Sequence, residues 1–435
     1  MRRLRGYLHP RRKPPPTPPT VPPSSSANPS YGITFRFHNA VHVSGSPIEG
    51  EIDLNLWDFL EDGVEEVRLE FRGSVTTRVF RIHSAQTETT SVAHIDVPIW
   101  KRDPRNHDPV FGTLITWDLK PFSIQLPPEL PPTFYQSAGS STAEVKYALT
   151  VVGVRPEFPQ HDRRIHVPIL IVPKDSCEFL DVKPRLPGMV TVADTVPWRT
   201  ERTEKRFRRG PWGRYATAQV QLTIPALPAL PVYTGVPFVI EVVTTSLPLT
   251  RAEVDASSYE NPIFPAVPTE FTMLQFKLHR RLKVRAGTLR DDVSSDVATF
   301  TKAACVISAV HVETPFGKWQ PLKDTDERAP GALGRWVQRS RFRSVFQLAC
   351  APSFTTETID CQHSLELTVP FAGAGTDVHL SCPIRLSSGL DAPTTREKLG
   401  SPAPLQALPN FVDMPLIYWD ANVDEWDDRY RFRRR

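Results

Sequence analysis

Lys277, His279, Arg281, Lys283 and Arg285 fall on alternate residues, with Leu278, Leu282 and Val284 among the residues between them. In an extended strand, alternate side chains share one face and stand ~6.8 Å apart along it. A row of cations at that spacing suits phosphate or carboxylate groups, carried on a phosphorylated tail or an anionic lipid headgroup. It equally suits a solvated outer face whose charges meet acidic neighbours such as Glu241 or Glu366. Arg280 breaks the parity by standing on the apolar side. A second basic cluster, residues 205–209, precedes Trp212, and further arginines crowd both ends of the chain. Cations interleaved with aromatics either meet lipid surfaces or belong to a solvated loop.

Arg12, Pro15 and Pro18 fit the pattern R-x-x-P-x-x-P. A polyproline-II segment presents such prolines to the aromatic groove of a Src-homology-3 domain while the cation meets its acidic rim. The same composition also makes a plain spacer. For catalysis the chain offers little. His161, Asp162 and His166 precede Cys177 with no nucleophile elbow nearby, and a triad is defined by geometry rather than by neighbourhood in sequence. There is no H-E-x-x-H, P-loop or dinucleotide fingerprint. A non-enzymatic chain with no cofactor and no metal is expected.

Composition narrows the class further. The formal charge is +4 over 435 residues, which gives no case for nucleic acid. Five cysteines are widely spaced and form no C-x-x-C pair, so reduced thiols are expected rather than a disulfide framework or a zinc ribbon. The first arginines are not followed by the apolar run of a secretory signal, and nothing approaches the ~18 apolar residues of a spanning helix. A cytoplasmic protein with at most peripheral membrane contact is expected.

The elements that must carry these residues are strands. Ile52, Leu54 and Leu56 alternate with polar residues, as do Val67, Leu69 and Phe71, so each segment has one core face and one wet face. Residues 61–63 supply a turn between them. Pro127, Pro128, Pro131 and Pro132 cannot donate ladder hydrogen bonds and belong at an edge or corner. The alternation returns weakly at Val220–Ile224, Leu274–Leu278 and Leu365–Val369, interrupted by polar inserts around 251–270, 287–300 and 317–343. With 45 prolines and no long 3.6-residue periodicity, the chain is expected to be all-β. The architecture expected is two tandem antiparallel β-sandwiches over 31–173 and 188–395. A connector spans 174–187, and tails span 1–30 and 396–435, the first basic and proline-rich and lacking the means to bury a core.

In order and spacing, these features resemble the amino-terminal domain of the arrestin superfamily. The resemblance rests on the Pro47-Ile-Glu-Gly50 turn before an alternating strand, the strand 64–73 ending in Phe71-x-Gly73, and the Pro121-Phe122 strand. The corner 126–134 and the Tyr147-led strand complete it. The match is close over about 31–172, looser over about 185–390, and absent from the tails. The resemblance implies a cytoplasmic adaptor recruited to the plasma membrane or endosomes. Such an adaptor engages the cytosolic segments of a membrane receptor or transporter, and links them to ubiquitylation and endocytic trafficking machinery. Many related adaptors recruit HECT-type ubiquitin ligases through Pro-Pro-x-Tyr; here only the degenerate Pro415-Leu-Ile-Tyr418 is present. The phosphate-sensing lysine pair of the visual and β-type members has no counterpart on strand 31–37, which carries Arg36 alone. A retromer-type cargo-sorting subunit, with the same double sandwich, and a peripheral module for anionic lipid are the alternatives.

Overall fold

The computed structural model describes residues 27–28, 33–36, 39–55, 63–102, 117–156, 163–175, 182–188, 196–208, 215–232, 234–257, 263–300, 310–322, 332–371 and 376–395. The proline motif at Arg12, Pro15 and Pro18 and the Pro415–Tyr418 motif lie outside them. The described chain is nearly all β, in several antiparallel sheets. Its one α-helix is the single turn Arg251–Asp255, held by a capping box between Thr250 and Glu253.

The alternating segments read from the sequence do form strands. Pro47–Asn55 lies between Ile33–Arg36 and Trp117–Gln125 in one sheet. Glu66–Arg81 lies between Ser84–Lys101 and Ser141–Val154 in a second, which Arg163–Pro168 and Phe134–Ala138 extend along the last of these. Their inward faces share one apolar cluster, with Ile52, Leu54 and Phe122 from the first sheet and Leu69, Phe71 and Tyr147 from the second. Strand Arg163–Pro168 ends before Ile169, and Ile171–Val172 leaves to pair in parallel with His42–Val43.

Phe71-x-Gly73 acquires a physical reason here. The Tyr147 ring stacks on Phe71, with ring centroids 5.9 Å apart. A Cβ on Gly73 would stand 2.5 Å from the same ring. Tyr147 then donates its hydroxyl to the Pro131 carbonyl at 2.7 Å. The proline corner is thereby tied to the middle of the sheet, a bond contributing on the order of 1 kcal/mol.

In the carboxy-terminal half, five strands run in the order Trp198–Arg208, Tyr215–Pro225, Gly235–Thr250, Leu333–Gln347, His311–Pro321. Facing them is a sheet in which Gln275–Ala286 lies between Leu289–Thr299 and Ile359–Val369, with Val378–Ile384 beyond. A knot of phenylalanines fills the space between, Phe238, Phe276, Phe300 and Phe346 lying 4.9–6.0 Å apart by ring centroid. Burial of each such ring contributes roughly 2–3 kcal/mol. Residues 287–300 and 317–343, expected as polar inserts, are largely strands of these sheets. Leu289–Thr299 is an edge with little to bury, so its aspartates gave it the look of a loop.

The two large apolar clusters do not divide at the connector. Strand Gln275–Ala286 gives Phe276 and Leu278 to the carboxy-terminal cluster, but Leu282, Val284 and Ala286 to the amino-terminal one. Ile359 and Cys361 join the latter too, beside Leu365 and Leu367 in the former.

Candidate functional site

Strand Gln275–Ala286 presents its cations on one face as the spacing requires, and each has a carboxylate beside it. Lys277 and His279 share Asp296, at 2.8 and 3.1 Å. Arg281 meets Asp292 at 2.5 Å, Lys283 meets Asp360 at 3.3 Å, and Arg285 meets Glu88 at 3.5 Å. The hydrogen bond from Arg281 holds the Asp292 carboxyl below its ordinary range, and bonds from Lys277 and His279 do the same for Asp296. The row is therefore close to charge balance. Glu241 and Glu366 serve elsewhere, Glu241 on Arg339 and Glu366 as acceptor from Ser364 and Ser381.

At its far end the row turns into a clasp between the halves. The hairpin tip after Ala286 donates Gly287 N–H to Glu88 at 2.7 Å and Thr288 N–H to Gln86 at 2.9 Å. Thr77 donates to the Arg285 carbonyl at 2.6 Å, and Ser140 to Asp291 at 2.8 Å. Arg280, on the apolar side, is only 8% exposed, and its guanidinium lies 5.4 Å from the Phe134 ring centre. Near it, burial and the Arg280 charge push the His363 ring down to about 3. Ser353 lies 2.9 Å from His363 Nδ1, yet Ser353 also accepts the Leu386 N–H at 3.0 Å. A ring so hard to protonate makes a poor general base at neutral pH, and the pair ties the Leu386 backbone in place. His166, singled out in the sequence, lies 2.7 Å from Thr150 Oγ1. His161, Asp162 and Cys177 fall outside the described residues; Cys350, Cys361 and Cys382 are buried thiols.

A second cationic face was missed in the sequence. Arg335, Arg339, Arg341 and Arg343 fall on alternate residues of strand Leu333–Gln347, all on the outer side of its sheet. The neighbouring strand adds Lys318, opposite Val337. Over these strands and Gly235–Thr250, five cations meet only two carboxylates, Glu241 and Glu313. Arg339 takes Glu241 at 2.6 Å, whereas Arg341 and Arg343 share Glu313 at 3.7 and 2.7 Å. Among the described residues, Lys318 and Arg335 have no carboxylate partner. Beside Lys318 lies an open groove of about 320 Å³, floored by Val243 and Val337 and walled by Glu241, Phe316, Lys318, Gln320 and Arg339. Phe316 is 67% exposed. On the opposite face Trp319 and Trp336 lie over Gly334 and Gly317, where any Cβ would collide with an indole. The alternation of arginines was the available signal.

The basic cluster 205–209 is mostly strand: Lys205 donates to the Asp377 carbonyl at 2.8 Å and Phe207 is in the core. Among the described residues, Glu70, His94 and Asp96 are the one group close enough to share a metal ion. Glu70 is already held by Arg72 at 2.5 Å and His94 by Asp96 at 3.1 Å, so a charge network accounts for the trio. No helix among the described residues is long and apolar enough to cross a membrane. No protein-family model matches the chain, and no curated protein matches its sequence.

Proposed function

We propose that the chain is a non-enzymatic, arrestin-like adaptor. In this reading it binds an acidic cytosolic segment of a membrane receptor or transporter in the groove beside Phe316, and brings that cargo to ubiquitylation and endocytic machinery, a HECT-type ligase among the candidates. The observation that carries the reading is five cations over two carboxylates around an exposed phenylalanine, on the open face of a sheet. Such a surface attracts an extended anionic peptide and anchors it by one apolar or aromatic residue. It ranks above the 277–285 row because that row is already matched by Asp292, Asp296, Asp360 and Glu88. The all-β architecture supports a scaffold with binding on sheet faces and loops.

Proximity labelling in cells tests this with the native chain and with Lys318→Glu/Arg339→Glu. Recovery of membrane receptors or transporters by the native chain, and their loss from the variant, is the expected result. The same cargo recovered equally by both would overturn the groove as the cargo site. Recovery of sorting-complex subunits alone would favour a retromer-type subunit instead.

A further inference from the structure

The groove's surplus of cations has a matching acidic partner within the chain itself. From Leu399 to Asp428 there is no lysine, arginine or histidine, and there are six carboxylates: Asp413, Asp420, Asp424, Glu425, Asp427 and Asp428. Phe411, Tyr418, Trp419 and Trp426 are interspersed with them. We propose that residues 411–428 occupy the Phe316 groove in the free protein, so that this acidic, aromatic segment competes in cis with any external acidic partner. The inference rests on the groove being a binding site for acidic peptide.

Three features favour this occupant. First, the charges are complementary on and around the groove: Lys318 on its wall and Arg335 on the adjoining strand lack carboxylate partners among the described residues, and nearby Glu313 is divided between two arginines. Second, the spacing matches. In extended form Tyr418, Asp420, Asp424, Trp426 and Asp428 share one side of the segment, and its alternate positions recur every ~6.8 Å, as do Arg339, Arg341 and Arg343 on their strand. An indole there can lie against Phe316 and Val337 while flanking carboxylates reach the arginines. Third, the tether has a long reach. The described chain ends at Thr395, paired with Asn39, and about 23 residues from there to Tyr418 reach up to ~75 Å. A segment tethered this way is present at an effective concentration on the order of 1 mM. If its intrinsic Kd is ~0.1 mM, it fills the groove about nine-tenths of the time and weakens a competitor roughly tenfold. The arginines from Arg429 onward lie beyond the segment and bound it.

Two measurements on the full chain decide the matter. With the photo-crosslinking residue benzoylphenylalanine in place of Phe316, irradiation should join position 316 to peptides from 411–428, in a yield independent of protein concentration. A yield that rises with concentration means the tail of a second molecule and overturns the cis arrangement, and the absence of tail crosslinks overturns it outright. The second measurement titrates a fluorescent peptide of residues 411–428 against the native chain and against a full-length variant carrying Trp419→Ala, Trp426→Ala, Asp420→Asn and Asp424→Asn. The probe should bind the variant about tenfold more tightly, and less tightly as salt is raised. Equal affinity for both chains, abolished by Lys318→Glu/Arg339→Glu, would overturn the tail as occupant and leave the groove reading standing. No binding to either chain would overturn both.

Discussion

Phe316 and Lys318 stand side by side on the groove wall, and neither is needed to hold the fold. Phe316 is exposed, and Lys318 has no carboxylate partner among the described residues. Phe316→Ala and Lys318→Glu should therefore leave the melting temperature within about 2 °C of native, as surface changes outside the core usually do. Each should weaken an acidic, tryptophan-bearing probe peptide at least fivefold in a fluorescence titration. A drop in stability with no change in affinity would make the face structural. His42 and His363 are 1% and 4% exposed. Burial lowers the His42 ring from its ordinary 6.5 to about 4, and burial with the nearby Arg280 charge lowers His363 to about 3. Both rings stay neutral in the folded chain, whereas in the unfolded chain they take up protons below about pH 6.5. Their contribution is intact above pH 6.5 and is lost progressively as pH falls towards 4 and 3, at roughly 1 kcal/mol per pH unit for each. Urea midpoints should fall between pH 7 and pH 5, and His363→Gln should lessen the slope. An unchanged slope would mean that other groups carry the acid sensitivity.

Two elements owe their shape to glycines under aromatic rings. Gly73 lies beneath Tyr147, in a strand buried on one face. Gly317 lies beneath Trp336, at the rim of a sheet where the indole is half-buried. Gly73→Val should thus cost ~3 kcal/mol or more, since Tyr147 would have to leave both Phe71 and the Pro131 carbonyl. Gly317→Val should cost less, about 1–2 kcal/mol, and should lower acidic-peptide binding by displacing Phe316. Equal losses in chemical denaturation would show that the rim is as rigid as the core. The alternation at Ile52–Leu56 and Val67–Phe71 made the strands of the first half legible, because one face there is continuously apolar. Strand Leu333–Gln347 was not legible. Its inward side carries Gly334, Trp336, Gln338 and Ser340 before Phe342 and Phe346, so the apolar alternation starts late and arginines dominate the string. The row at 277–285 was legible as a spacing but not as an electrostatic balance. Its partners Asp296, Asp292, Asp360 and Glu88 come from three other strands, and only the pairing register brings them opposite. Charge on a strand is thus readable from one sequence segment, whereas neutralisation belongs to the sheet.

At the scale of the molecule, the amino-terminal cluster is completed by the carboxy-terminal half. Leu282, Val284 and Ala286, together with Phe354, Ile359 and Cys361, are buried against residues of the first two sheets. Phe134 and Phe354 meet edge-on at 5.2 Å between ring centroids. Around this contact the hairpin tip is held by Gln86, Glu88, Thr77 and Ser140, so apolar burial and directional bonds secure the same junction. Removing the second half would uncover all of these apolar side chains at once, and burying even a few of them is worth several kcal/mol at ~25 cal/mol per Å². A fragment ending at Gly188 should therefore melt well below the intact chain and bind a dye for exposed apolar surface, and the intact chain should unfold in a single calorimetric transition. The clasp can be weakened without touching the cluster. At Gly287, φ is +57° and a Cβ would stand 2.7 Å from the Gln86 side-chain oxygen, so Gly287→Val strains the turn and pushes the tip away. That variant should broaden or split the transition while the far core, built on Phe238, Phe276 and Phe346, keeps its stability. If the fragment instead melts with the intact chain, and Gly287→Val leaves one sharp transition, the halves are independent folding units and the shared cluster is only a contact between them.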